Sequence, residues 1–194
     1  MIYRYEYDNY LKINIWVDEF PMASCKSTKT IEKIYEANGQ TLGGDKLMAL
    51  EIAIPRDACN YGLLGIRYHE KNQEAIAVIH TDNYGGEEYK DNISLIHDVV
   101  YKGIPEDYSI GIEQGLERVS SQHRLKCGGY EFIMGCHGEA GSCIAIFSVV
   151  CSMLLDLLYE TDITKEKVWE LFMRNLHEER DGEAVSFGES EVIV

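Results

Sequence analysis

Positive charge is scarce in this chain: 18 lysines and arginines stand against 33 aspartates and glutamates, a formal net charge of −15 over 194 residues. A polyanion is repelled by nucleic acid and by anionic membranes and has few cations with which to displace their counterions, which argues against broad, non-specific binding to either while leaving room for a small cationic patch. No basic segment followed by an apolar run opens the sequence, so a secretory signal is not expected and the expected location is the cytoplasm. No apolar run reaches the roughly 20 residues that cross a bilayer. The longest, residues 143–158, holds two serines and Asp156 and predicts a buried helix rather than a membrane span. The six cysteines (Cys25, Cys59, Cys127, Cys136, Cys143 and Cys151) form no Cys-x-x-Cys pair, so buried thiols are expected rather than a disulfide framework. Internal repeats, low-complexity tracts and a phosphate-binding Gly-x-x-x-x-Gly-Lys-Ser/Thr loop are also missing, and there is no room for a GTPase domain.

What is present suits a folded domain: 45% of residues are hydrophobic and 26% charged, too apolar for a disordered chain. Residues 1–17 alternate, with Tyr3, Tyr5 and Tyr7 on one side and then Ile13, Ile15 and Val17, around an Asp8-Asn9 turn, which predicts a hairpin. Ser27 and Thr28 can cap a short helix carrying Ile31, Ile34 and Tyr35 and ending at Asn38-Gly39. Strands are expected over 47–54, 61–68, 74–81 and 93–101, then a helix opening at Pro105 with Tyr108, Ile112, Leu116 and Val119 on one face. A strand over 129–135 and a buried helix N-capped by Ser142 follow. Thr164 caps an amphipathic helix with Val168, Trp169, Leu171, Phe172 and Leu176, and Asp181-Gly182 leads to a strand-like end over 184–194. Trp16 and Trp169 fall at core positions of these patterns. The reading is an α+β protein, a mostly antiparallel sheet packed by two main helices. Its division is an N-terminal hairpin and short helix (1–46), a core (47–160), and an acidic C-terminal helix-strand appendage (161–194).

Residues 93–108, Ile-Ser-Leu-Ile-His-Asp-Val-Val-Tyr-Lys-Gly-Ile-Pro-Glu-Asp-Tyr, resemble a strand, Gly-rich turn and Ile-Pro-Lys-Glu-Tyr helix start in the fourth domain of translation elongation factor G. Ile112-Glu-Gln-Gly-Leu116 continues the likeness, Tyr61-Gly62-Leu-Leu-Gly-Ile66 is similar to that family's Tyr-Gly-His-Val-Val-Ile strand, and His137 stands five residues before Ser142 like the family's tip-loop histidine. The resemblance implies the fold of the second domain of ribosomal protein S5. It also implies a tip formed by His137, Gly138, Glu139 and Ser142 and by Arg56 and Tyr61, which in the family reaches the ribosomal decoding site. The departures are that Asp57 offsets Arg56, which removes the electrostatic drive toward RNA, and that residues 70–92 look like an inserted hairpin. Without a GTPase, a stand-alone domain of this kind must borrow any energy from a partner.

Three functions stay open. One is a translation-associated, ribosome-related binding module acting through the tip. The second is an acidic interaction protein of inhibitor or immunity type that covers a basic partner. The third is an enzyme using Cys143, placed where a helix start favours a thiolate near His137, or using the Gly138–Ser142 turn as an anion site. Against the enzyme, no third residue orients a Cys-His pair, and Glu139 would repel a phosphate. The spacings of Cys127, Cys136, His123 and His137 match no common zinc pattern, so neither metal nor cofactor is expected. The sequence leaves the oligomeric state open.

Overall fold

In a computed structural model of the chain, residues 1–8, 11–23, 26–55, 60–70, 73–83, 86–95 and 97–188 are described, with side chains as far as 179. Eight strands and three helices run in the order β1 (Ile2–Tyr7), β2 (Leu11–Val17), β3 (Lys29–Tyr35), β4 (Lys46–Ala53), β5 (Tyr61–His69), β6 (Ala75–Thr81), β7 (Val100–Lys102), α1 (Glu106–Ser121), β8 (Gly128–Gly138), α2 (Ile144–Tyr159) and α3 (Lys165–Gly188). One sheet has the order β1-β2-β4-β5-β8-β6-β3, with β7 also paired to β8. Every pairing is antiparallel except β6 with β8. That exception follows from connectivity, because α1 carries the chain back across the sheet between β6 and β8, as a parallel pair requires. The fold is therefore α+β, a mostly antiparallel sheet with α1 and α2 packed on it.

Period-2 alternation decides what each face of the sheet meets. Leu11, Ile13 and Ile15, Leu50 and Ile52, Leu64 and Ile66, and Tyr130 and Phe132 turn toward α1 and α2 and are buried there. The other face carries Trp16, Ala49, Ala53, Tyr61, Leu63, Met134 and Cys136, which is why it needs the smaller cover of Phe20, Ala23, Tyr89 and Ile93 from loops. α2 is apolar on most sides because it touches the sheet, α1 and α3. α1 and α2 approach closely through Gly111 and Gly115. A methyl group at Gly111 would run into the Ile144 carbonyl oxygen and meet Phe147 Cβ at 3.0 Å. Gly111→Ala is therefore expected to destabilise the chain by about 1–3 kcal/mol through overpacking, overriding the ~1 kcal/mol that alanine ordinarily gains over glycine inside a helix. Urea unfolding checks this.

The hairpin, the strands expected over 47–54, 61–68, 74–81 and 129–135, the helix opening after Pro105 and the Thr164 cap (Lys167 N–H to Thr164 Oγ1, 3.2 Å) stand where the sequence reading puts them. Four expectations are corrected. The short helix over 27–38 is strand β3: Ile31, Lys33 and Tyr35 face α1, and the Lys29–Glu106 and Lys33–Glu113 ion pairs fix the strand to that helix. β-branched Thr30, Ile31 and Ile34 favour the extended form. The strand over 93–101 shrinks to β7, because residues 92–95 and 97–98 turn through Asn92 and Asp98 side-chain bonds to cover the sheet. Of the inserted hairpin expected over 70–92, residues 75–81 are strand β6 of the sheet and residues 86–92 are a covering loop bridged at Glu88 to Tyr101. α3 continues through Asp181-Gly182 to Gly188, so the strand-like end over 184–194 is helical as far as 188, and 189–194 lie outside the described residues. β1, β2 and β3, from the segment set apart as 1–46, belong to the same sheet as the rest.

Candidate functional site

The turn between β8 and α2 is where the sequence reading gathers its candidates, and its polar groups are turned on one another. Asp98, from the covering loop, accepts hydrogen bonds from the Ala140 N–H (3.0 Å), the Gly141 N–H (3.2 Å) and the Ser94 hydroxyl (3.2 Å). Ser142 Oγ accepts from the Gly138 N–H at 2.8 Å and donates to the Tyr61 carbonyl at 2.7 Å. The Gly141 carbonyl accepts from both Asn60 and Tyr61 N–H groups, at 2.7 and 3.0 Å. The donors that an external anion would need at Gly138, Ala140 and Gly141 are thus taken by the chain's own Asp98 and Ser142. Ser142 ties strand β5 to this turn and makes no capping bond to α2, whose N-cap position is Cys143. That corrects the capping expectation: Ser142 reaches backward to Gly138 instead of forward.

His137 is 1% exposed. Its Nδ1 lies 3.1 Å from the Gly103 carbonyl, and its ring stands between Tyr101 and Tyr108, with centroids 5.9 Å from each. Burial lowers its pKa, opposed by the Gly103 carbonyl and by Asp98 and Asp82. Tyr61 is buried and gives its hydroxyl to Glu51. Of the turn, Glu139 and Ala140 are the exposed residues. Arg56 lies outside the described residues. Cys143 is disulfide-bonded. This corrects the all-thiol expectation and takes Cys143 away from nucleophilic chemistry while the bond stands. Cys127, Cys136 and Cys151 are reduced and buried, and burial pushes the Cys151 thiol far up.

No family model, no curated protein and no solved structure matches this chain. The site is read from its own chemistry, which at this end of the molecule is acidic. Asp82, Glu87, Glu88, Asp91, Asp98 and Glu139 gather around β7 and the β8–α2 turn, with Lys90 and Lys102 as the nearby cations of those segments. Lys102 is already paired with Glu87 at 2.7 Å and Lys90 lies 3.9 Å from Glu88. Among the described residues no group of three or more His, Cys, Asp or Glu side chains is placed to hold a metal ion. No helix among them is long and apolar enough to cross a membrane.

Two residues central to this end escape a reading of the sequence alone. Asp98 sits in a stretch patterned like a strand, and only the fold brings it across to residues 140 and 141. Glu51 stands at an inward position of a strand, flanked by apolar residues, and is fully buried on the loop-covered face. A charged residue in an otherwise apolar run was the available signal for it.

Proposed function

We propose that this chain is an acidic protein-binding module that covers a basic protein partner, in the manner of an inhibitor or immunity factor. The observation that carries the reading is the Asp98 carboxylate on the Ala140 and Gly141 N–H groups, with Glu139 exposed beside it. The β8–α2 turn, whose N–H groups could serve an anion, is filled from within, so what this end presents outward is negative charge. Long-range attraction between such a face and a cationic protein speeds encounter and selects partners by sign.

The resemblance to the elongation factor domain points instead to a ribosome-associated role. The burial of His137 and the carboxylates around it weigh toward a protein partner. Cytoplasmic location belongs to the same proposal, and the Cys143 disulfide is the observation that pulls the other way, since such bonds persist mainly in oxidising compartments.

Affinity capture from native lysate tests the reading, comparing wild type with the Glu87→Gln, Glu88→Gln, Glu139→Gln triple variant. The expected result is a basic protein held by wild type at low salt, released at about 1 M salt where the Debye length is ~3 Å, and held poorly by the variant. Recovery of ribosomal subunits in its place, lost in the same variant, would return the chain to translation.

A further inference from the structure

The edge strand β1 ends where α3 begins, and the two enclose a cleft of about 400 Å³ lined by Tyr7, Asp8, Lys165, Glu166, Trp169 and Glu170. Its walls are fixed. The Tyr7 hydroxyl donates to the Lys165 carbonyl at 2.6 Å, and the Tyr7 and Trp169 ring centroids lie 5.1 Å apart. Trp169 in turn packs on Phe172, 6.1 Å away, so the aromatic pair rests on the core. Around these rings stand three carboxylates and one ammonium group. The ammonium, Lys165 Nζ, lies over the Tyr7 ring at 5.0 Å from its centroid. The chain's own cation thus already uses the negative face of that ring, the arrangement by which aromatic residues hold ammonium and guanidinium groups. The positive end of the α3 dipole opposes a cation here by roughly half a charge, and Glu166 and Glu170 outweigh it.

We propose that this cleft receives a lysine or arginine side chain of a basic protein partner, whose charged end displaces the Lys165 ammonium from the Tyr7 ring and lies among Asp8, Glu166 and Glu170. This rests on the binding function proposed above and gives it an anchor point. The strand register supports one partner reaching both places. Tyr7 pairs with Leu11, Lys12 with Ala53, Ala53 with Tyr61, and Leu63 with Cys136, so the cleft and the acidic β8–α2 turn lie at the same end of the sheet. An aromatic pocket that anchors one long side chain, flanked by a broad charged face, is the usual division between a binding hot spot and its surroundings.

The test is titration of the full chain with hexa-arginine at low salt, followed by tryptophan fluorescence and by anisotropy of labelled peptide. Trp16 is buried, so a fluorescence change reports Trp169. The Glu166→Gln, Glu170→Gln variant is expected to bind about fivefold more weakly or worse. The charge-matched control Glu32→Gln, Glu36→Gln, on and beside the opposite edge strand β3, should change less than twofold. Lys165→Gln should bind about twofold more tightly, because the internal competitor is gone, whereas Lys26→Gln should not. Circular dichroism confirms that each variant is folded. Equal weakening by the two glutamate pairs, or peptide binding without a Trp169 response, overturns the cleft while leaving the acidic-module reading in place. Failure of wild type to bind the peptide at all overturns both.

Discussion

Asp156→Ala is expected to destabilise the chain by about 3–5 kcal/mol, the range for removing one partner from a buried ionic cluster. Ser148, Ser152 and Asp156 recur every four residues along α2 and form a polar stripe on an otherwise apolar helix. Arg118 from α1 donates to Ser148 and Ser152 and pairs with Glu179 of α3. Asp156, 4% exposed, pairs with Arg124 and, at 2.5 Å, with Arg174, and accepts from the Asn175 amide at 3.0 Å. Arg124 also reaches Glu178 at 3.0 Å. Across this seam three arginines (118, 124 and 174) meet three carboxylates (156, 178 and 179), so its charge balances. Deleting Asp156 leaves two arginines sharing Glu178 and takes a buried acceptor from Asn175. Urea unfolding measures the loss. Hydrogen exchange should show α3 opening first, because α3 packs mainly on α2 while the sheet stays covered by α1 and α2. A loss under 1 kcal/mol would mean that the seam contributes little and that Val168, Leu171 and Phe172 alone hold α3.

The second large effect depends on pH. Glu51 is fully buried beneath the loop that carries Tyr89 and Ile93, and it accepts from the Tyr61 hydroxyl (2.8 Å), the Asn14 amide (2.9 Å) and the Ile93 N–H (3.2 Å). Burial pushes its pKa from an ordinary 4.5 up to about 7. The three donors pull it down without cancelling that, and Asp91 adds to the rise. Below pH 4.5 the carboxyl is protonated whether the chain is folded or not, and nothing depends on the group. As pH rises toward 7 the unfolded chain ionises it freely while the folded chain resists, so stability falls and then levels off above the folded pKa. The shift corresponds to about 3 kcal/mol. In Glu51→Gln the amide carbonyl can accept from Tyr61 and Ile93, and a turned Asn14 amide can accept from its NH2, so the shell survives without a titrating group. Between pH 4.5 and pH 8, wild type is therefore expected to lose about 3 kcal/mol relative to this variant, read from urea midpoints at several pH values. Parallel curves for the two proteins would place the folded pKa near its ordinary value.

What the residue order shows depends on the range of each signal. Alternation in β1, β2, β4, β5 and β6 and the 3.6-residue pattern of α1 and α3 are local, and local steric and burial rules write them directly into the residue order. β3 is hidden in the sequence because Ile31, Ile34 and Tyr35 satisfy a helical spacing as readily as an extended one. The choice was made by β6 and by two ion pairs to α1, which are distant in sequence. Residues 93–99 alternate like a strand, yet pairing with β8 begins only at Val100, and Ile93 instead joins the cover of the face that carries Tyr61 and Leu63. In the candidate site, the grouping of His137, Gly138, Glu139 and Ser142 is legible because they are neighbours in the chain. That His137 points inward and that Asp98 closes the turn are not, since both depend on segments some 40 residues apart.

The α+β class, the hairpin, the positions of the main helices and the acidic balance are written in the residue order alone, because they depend on composition and on periodicities of two and 3.6 residues. The burial of Glu51 and Asp156 among chosen partners and the meeting of Tyr7 and Trp169 in a cleft come from the tertiary structure instead. Each of these is a contact between residues far apart in the chain, fixed by the way one sheet and three helices close over a shared core.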